Sequence, residues 1–327
     1  MPDRPSVAID GNRLAVGTPR PNPSTDGTLH LVGTEDGGDR QLVRYDAGFP
    51  PREFGRNVVC NSGCSLVGVT FTQVDGGGVE IRDPSTGALR ATLPRRIGPS
   101  TCGKSVSLAS QALVAATGCG EMLDGYCSEI AVLRPDGGLT SWFGHTFAED
   151  VAFSASGDFL AGVGCHTDGG FCRVTVLGDV LRSIVSPVYR SLELPAADSL
   201  RYYNVELSES GSVLAVSNPR WFGGYGGLKV FTFSGSTFDL QAEIDGGVAN
   251  DELGFGLAMA ANANVIVVTR LRGLSAFVYD RFSDGGLCLS QTLPAASLVR
   301  GDVSISRDGR TIALVALDGG LQVYQRP

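Results

Sequence analysis

The chain has 327 residues, of which 43% are hydrophobic and 45 are glycine, and its formal net charge is −8. The acidic balance and the lack of any lysine or arginine run argue against a nucleic-acid partner, because phosphate binding needs a basic surface. No stretch approaches the ~20 consecutive apolar residues of a membrane-spanning helix. These properties indicate a globular protein with no membrane span.

Seven short segments share one pattern, in which two apolar residues are separated by a single other residue. Their first apolar residues, called anchors below, are spaced by 51, 48, 45, 54, 52 and 46 residues and are Val7, Val58, Val106, Val151, Val205, Leu257 and Val303. A period of two is typical of a strand with one buried face. All-strand repeats of roughly 40–50 residues predict a β-propeller.

Each repeat continues from this first strand through a polar turn into an apolar second strand and then a third strand. The predicted third strands are 28–32, 78–82, 130–133, 173–177, 228–233, 275–279 and 321–324. A more polar fourth strand follows, as at 139–143 and 287–293. We therefore expect one all-β domain, a seven-bladed propeller with four-stranded antiparallel blades at approximately 1–50, 51–98, 99–145, 146–190, 191–245, 246–295 and 296–327. The last blade is expected to have three strands.

The eight cysteines include three close pairs at predicted hairpins. These pairs are Cys60 with Cys64, Cys119 with Cys127, and Cys165 with Cys172. Their spacings match no zinc pattern and only three histidines are present, so disulfides are favoured over a metal site. Disulfides form in oxidising compartments. We therefore expect a secreted or cell-surface protein whose leader is absent from this chain.

Two further cysteines complicate the pairing. Cys102 could compete with Cys127 for Cys119, because it is predicted at the start of a first strand that faces the end of the second strand. Cys288 stands far from the other cysteines in the sixth repeat and is expected to be unpaired.

Several repeats carry a second motif. Leu14-Ala-Val-Gly-Thr-Pro is followed by Gly27-Thr-Leu-His-Leu-Val, and Leu214-Ala-Val-Ser-Asn-Pro by Gly227-Leu-Lys-Val-Phe, while Phe54-Gly55 and Gly254-Phe255-Gly256 precede first strands. This set resembles FG-GAP repeats, the seven-bladed units of integrin α-chain heads and many bacterial extracellular proteins. Calcium-binding blades of that family carry an Asp-rich loop between the first two strands. The short turns here lack the six to eight oxygens that calcium takes, so no metal and no cofactor are expected.

Catalytic candidates are few. His30 alternates with leucines in a predicted third strand and is expected to pack there, whereas His145 stands near Glu149 and Asp150. The second group leaves open a hydrolase or lyase with a site at the mouth of the propeller channel. No nucleophile elbow, zinc-protease helix or phosphate loop occurs in the sequence. We therefore assign no catalytic residue.

The residue before each anchor is small and polar in six of the seven repeats. These residues are Ser6, Asn57, Ser105, Asp150, Asn204, Gly256 and Asp302. They could form a polar ring that holds an ion or a small ligand at the channel mouth. The favoured interpretation is that they form hydrogen bonds with exposed backbone groups where strands begin.

The strongest candidate binding site is the loop that joins the second and third strands of the fifth repeat. Arg220, Trp221, Phe222 and Tyr225 stand there among glycines, and aromatic residues and arginine are the usual anchors of recognition surfaces. The alternative is that Trp221 and Phe222 fold back over a blade edge. The disulfide-closed loops are expected on the same face, where they would present Tyr126, His166 and Asp168.

Together these features predict a non-catalytic, extracellular binding or adhesion module. Its expected ligand is a protein or a carbohydrate, and we expect the module to be a monomer. A secreted hydrolase or lyase and an intracellular scaffold are the alternatives.

Overall fold

The chain folds into a series of small antiparallel sheets, each made from strands that follow one another in the sequence. The computed structural model describes residues 6–18, 27–33, 39–44, 54–55, 57–73, 76–94, 105–109, 114–118, 129–134, 139–143, 150–165, 171–180, 188–195, 203–234, 237–247, 252–270, 275–294, 302–315 and 320–327. Tight turns allow this pairing of successive strands. In the first hairpin, Gly11 adopts φ +58, a conformation that glycine takes without steric cost.

In the described part of the chain, six sheets have four strands each. The first three are β1–β4 (Ser6–Asp10, Arg13–Thr18, Thr28–Gly33, Asp39–Arg44), β5–β8 (Val58–Cys60, Val67–Gln73, Gly76–Arg82, Leu89–Pro94) and β9–β12 (Val106–Leu108, Val114–Gly118, Glu129–Leu133, Leu139–Phe143). The next three are β13–β16 (Asp150–Phe153, Phe159–Cys165, Phe171–Gly178, Val188–Pro195), β17–β20 (Asn204–Leu207, Val213–Asn218, Gly227–Phe233, Phe238–Asp245) and β21–β24 (Leu253–Met259, Val265–Arg270, Ser275–Arg281, Leu287–Pro294).

The remaining strands form a smaller sheet. It consists of β25–β27 (Val303–Ile305, Thr311–Val315, Leu321–Gln325). Among the residues that the structure describes, two short helical segments interrupt the strands, a 3-10 turn at Ser62–Cys64 and a single turn, α1, at Trp221–Gly224. No helix among the described residues has the length and apolar character needed to cross a membrane.

The first strands of the sheets lie side by side around a central axis. Each of β1, β5, β9, β13, β17 and β21 contacts the next one in this order, and β25 contacts both β21 and β1. An all-β propeller with four-stranded antiparallel blades is thus confirmed. Over the described residues the structure has six four-stranded blades rather than seven, and the predicted seventh is present there only as the three-stranded sheet between the sixth blade and the first.

The hydrophobic core lies between neighbouring sheets rather than at one centre. Val7 and Ile9 of the first blade pack against Ala313 and Val315 of the three-stranded sheet, and comparable clusters separate the other blades. All six residues of the second strand β18 are buried, whereas the residues of the outer strand β20 are half-buried or exposed. One predicted limit is displaced, because β16 extends to Pro195 and crosses the expected boundary at residue 190.

Candidate functional site

The first strands all begin at one face of the propeller, which we call the upper face. Because neighbouring strands are antiparallel, the loops between second and third strands lie on the same face, and the turns between first and second strands lie on the opposite, lower face. The first strands enclose an upper cavity of about 280 Å³, which residues of all seven of these strands line. The site therefore has two parts, the channel and the loops around its upper mouth.

The small polar residues before the anchors hold neighbouring blades together. Asp150 Oδ2 accepts a hydrogen bond from the backbone N–H of Val205 in the next blade, at 2.8 Å. Asp302 Oδ2 accepts one from the N–H of Val7, at 3.3 Å, across the junction between the last sheet and the first. First strands are edge strands whose inward N–H groups have no ladder partner, so side chains must satisfy them. The favoured interpretation of backbone hydrogen bonding is confirmed for these aspartates.

The residues that follow two anchors repeat this arrangement one layer deeper in the channel. Ser107 Oγ accepts a hydrogen bond from the N–H of Phe153 at 2.9 Å, and Ser304 Oγ accepts one from the N–H of Ile9 at 3.1 Å. Both bonds reach from one blade to the next. The channel wall is therefore fixed by side chains that bridge consecutive blades at two levels.

Glu206 occupies the position that corresponds to Ser107 and Ser304 but forms no equivalent bond with any described residue. It lines the upper cavity, where its side chain is partly exposed. Burial, followed by the negative charges of Asp150 and Asp302, raises its pKa well above the ordinary value of 4.5.

Sequence reasoning missed Glu206, although a signal was available. The residues that directly follow the seven anchors are Ala8, Val59, Ser107, Ala152, Glu206, Ala258 and Ser304. Only one of these seven is charged. An alignment of the residues that follow the anchors, in addition to those that precede them, would have identified Glu206.

The channel is obstructed toward the lower face. A layer of large apolar side chains, which we call the apolar layer, lies between the upper cavity and a lower cavity of about 160 Å³ and comprises Ile9, Leu108, Phe153, Met259 and Ile305. Beyond it, Arg307 Nη1 donates a hydrogen bond to Ser62 Oγ at 2.9 Å, and Arg307 Nη2 forms an ion pair with Glu209. Arg307 thus links the three-stranded sheet to the second and fifth blades at the lower mouth.

Trp221, the first aromatic residue of the predicted binding loop, is buried rather than exposed. Only 3% of its surface is accessible, and its ring packs edge-on against Tyr203 at a centroid distance of 5.6 Å. Lys229 Nζ lies 5.4 Å from the Trp221 ring, a cation–π arrangement. For Trp221 the structure shows the alternative, a side chain that folds back, because the loop turns it into the core between the fourth and fifth blades.

The next aromatic residues of the loop do reach solvent. Phe222 is 37% exposed and Tyr225 is 39% exposed. The Tyr225 carbonyl accepts a hydrogen bond from the N–H of Leu253 at 3.1 Å, which ties the loop to the next blade. Arg220 Nη1 lies 2.9 Å from Oε1 of the fully buried Glu252, which adds an ion pair between the same two blades.

The loop also contains an unusual backbone. Phe222 has φ +56, and Gly223 and Gly224 have φ +68 and +90. A bulky residue in the left-handed region is uncommon, and such strain persists only where surrounding contacts enforce it. The neighbouring Trp221 supplies such a contact, with its ring centroid 6.4 Å from that of Phe222.

The predicted disulfides are borne out in part. Cys60 and Cys64 are joined, with their Cα atoms 4.8 Å apart. Cys172 is disulfide-bonded, and Cys165 is the residue opposite it in the pairing of β14 with β15. Cys288 is an exposed free thiol, as expected.

Several other predicted residues lie outside the described part of the chain. They are Cys102, Cys119, Tyr126, Cys127, His145, Glu149, His166 and Asp168. His30 lies in β3 as predicted, half-buried, with Nε2 3.0 Å from Thr28 Oγ1. No group of three or more metal-ligating side chains is found among the described residues.

Comparison with known proteins identifies the fold alone. No family model and no curated protein matches this sequence. The structure is similar to the β-propeller domain of Cps50 (Swd1) from Myceliophteria thermophila, with 14% identity, a TM-score of 0.69 and coverage of 100% of this chain and 98% of that one. It is also similar to a chain of the mitotic checkpoint complex, with 15% identity, a TM-score of 0.68 and coverage of 98% and 86%.

A third similar structure is hydrazine synthase from Kuenenia stuttgartiensis, with 11% identity, a TM-score of 0.72 and coverage of 100% of this chain and 96% of that one. The three names describe a propeller domain, a complex and an enzyme, so the shared fold does not select a function. Nothing in these similarities points to FG-GAP repeats.

Proposed function

We propose that this protein is a non-catalytic binding module that recognises a protein ligand through the upper face of its propeller. The observation that carries this proposal is the pair of exposed aromatic residues, Phe222 and Tyr225, on a loop whose base is fixed. Exposed aromatic side chains on a preorganised surface contribute binding energy with little loss of conformational entropy. A carbohydrate is the less favoured ligand. A sugar would need polar groups beside the aromatic rings, and the guanidinium of Arg220 already forms an ion pair with Glu252.

The enzyme alternative has less support. Its proposed acid–base cluster included Asp150, whose Oδ1 and Oδ2 accept hydrogen bonds from the N–H groups of Val151 and Val205. A carboxylate with both oxygens committed to backbone donors is a poor general base. We therefore retain the binding function.

We also propose that β25–β27 serve as the seventh blade. Support comes from the contacts of β25 with β21 on one side and β1 on the other, and from the packing of Ala313 and Val315 against Val7 and Ile9. A blade in this position closes the ring and keeps the upper face continuous.

Loss of either exposed aromatic side chain is expected to weaken ligand binding about tenfold or more, the usual effect of removing an interface hot spot. The immobilised protein would be screened against a displayed peptide library and a glycan array, and the selected binders would be retested with Phe222→Ala and Tyr225→Ala. Phe282→Ala is the matched control, because Phe282 is 53% exposed and follows β23 on the lower face. Undiminished binding by both upper-face variants would remove this loop from the proposal. Selection of glycans alone would replace the protein ligand with a carbohydrate.

We further propose that the protein is exported and that three disulfides form, at Cys60–Cys64, Cys119–Cys127 and Cys165–Cys172. The joined Cys60 and Cys64 and the bonded Cys172 support this, because disulfides persist in oxidising compartments. Since the chain has eight cysteines, thiol titration of the denatured, unreduced protein is expected to find two free thiols. The same titration after reduction is the control. Six or more free thiols before reduction would contradict export.

A further inference from the structure

We propose that the upper cavity of the channel binds a primary ammonium group, which pairs with the carboxylate of Glu206. Within the described part of the chain, the Glu206 carboxyl group has no hydrogen-bond or ion-pair partner, and its partly buried side chain lines a cavity of about 280 Å³. A carboxyl group that lines a confined cavity, has no protein partner and lies near two other carboxylates points to a ligand that supplies a positive charge.

The equivalent positions in other blades show why Glu206 is not a structural residue. Ser107 and Ser304 accept backbone N–H groups of the following blade and thereby hold the ring together. Glu206 forms no such bond and faces the same space. Its carboxylate is therefore available to a ligand without breaking a contact between blades.

The charge of the surroundings selects a cation. Asp150 and Asp302 raise the pKa of Glu206 through their negative charges, after the larger effect of burial. A bound positive charge would be attracted by all three carboxylates and would reverse this shift. The site is distinct from the Phe222 and Tyr225 surface, so this inference does not depend on the proposed protein ligand of that loop.

The available oxygens favour an ammonium group over a metal ion. Calcium takes six to eight oxygen ligands, whereas oxygens of Asp150 and Asp302 already accept backbone N–H groups. An ammonium group has only three donors. The Glu206 carboxylate can accept at least one of them.

The size and shape of the cavity limit what carries the ammonium group. At about 280 Å³ the cavity is smaller than typical drug-sized pockets of ~300–1,000 Å³. The apolar layer and Arg307 obstruct entry from the lower face. A slender alkyl chain that enters from the upper face fits these limits, either as a free alkylamine or as a lysine side chain of another protein.

Isothermal titration calorimetry tests this site with three probes: n-butylammonium chloride, the peptide acetyl-Gly-Lys-Gly-amide, and the same peptide with its lysine acetylated. We expect at least one of the first two to bind and the neutral acetylated peptide not to bind. Tighter binding of butylammonium assigns a free amine, and tighter binding of the lysine peptide assigns a protein side chain. Affinity should rise with pH until Glu206 is fully ionised in the free protein, because the cation must displace its proton.

Glu206→Gln is expected to weaken binding about tenfold or more, since it removes the charged acceptor. Glu193→Gln removes one negative charge at a side chain that is 68% exposed, so it controls for net charge and should leave the affinity within about twofold. Circular dichroism would confirm that both variants are folded. Failure of both amines to bind, equal affinity in Glu206→Gln, or binding of calcium without either amine would overturn the proposal.

Discussion

Glu206→Gln is expected to make the protein more stable at neutral pH and to leave its stability unchanged below about pH 4.5. The pKa of Glu206 is raised well above 4.5 in the folded state, mainly by burial and further by Asp150 and Asp302. Between pH 4.5 and that raised pKa, the folded protein keeps a proton that the unfolded chain has lost. Stability therefore falls as pH rises through this window, at about 1.4 kcal/mol for each unit of pKa shift.

Glutamine resembles protonated glutamate in shape and cannot ionise, so Glu206→Gln does not lose this stability as the pH rises. The free energy of unfolding would be measured by urea titration at a series of pH values for the wild type, Glu206→Gln and Glu193→Gln. The advantage of Glu206→Gln should be absent at the acidic end, grow with pH and then level off above the folded-state pKa. Glu193→Gln, at an exposed ion pair with Arg173, should change stability by no more than about 1 kcal/mol at any pH. An advantage independent of pH would contradict the raised pKa.

The repeating part of the fold could be predicted from the sequence because it depends on local pattern. The anchors Val7, Val151 and Val205 each lie in a first strand, as their period of two indicated. One-sided burial forces this alternation wherever a sheet packs on a neighbour. The blade boundary near residue 190 was less predictable, because it falls inside β16, which continues to Pro195. β16 is an outer edge strand, where proline is tolerated, so Pro195 does not exclude a strand there.

The site was less predictable because it depends on contacts between distant blades. Asp150 and Val205 lie 55 positions apart in the sequence, and their hydrogen bond exists only once the ring has formed. Likewise, the Glu206 carboxyl group has no hydrogen-bond partner among the described residues because the neighbouring blades place no donor group beside it. The direction of the Trp221 side chain depends on the loop backbone, where Phe222 adopts φ +56, and no residue pattern specifies that conformation.

Trp221→Ala is expected to lower the free energy of unfolding by about 3–5 kcal/mol, the range for truncating a buried aromatic residue. The substitution removes a ring that is 3% exposed, packs against Tyr203 at 5.6 Å and lies under Lys229 at 5.4 Å. The resulting cavity lies between the fourth and fifth blades. Trp221→Phe should cost less, because it keeps an aromatic ring in the same place.

Urea denaturation would be compared for Trp221→Ala, Trp221→Phe and Phe222→Ala. Phe222 is the matched control, because it is the adjacent aromatic residue but is 37% exposed, and its truncation should cost about 1 kcal/mol or less. Equal losses for Trp221→Ala and Phe222→Ala would contradict the buried position of Trp221.

Since Trp221 supports the backbone that presents Phe222, Trp221→Ala should weaken binding at the upper face without any direct contact between Trp221 and the ligand. A binding defect identifies a contact residue only in a variant such as Phe222→Ala, whose stability stays near that of the wild type.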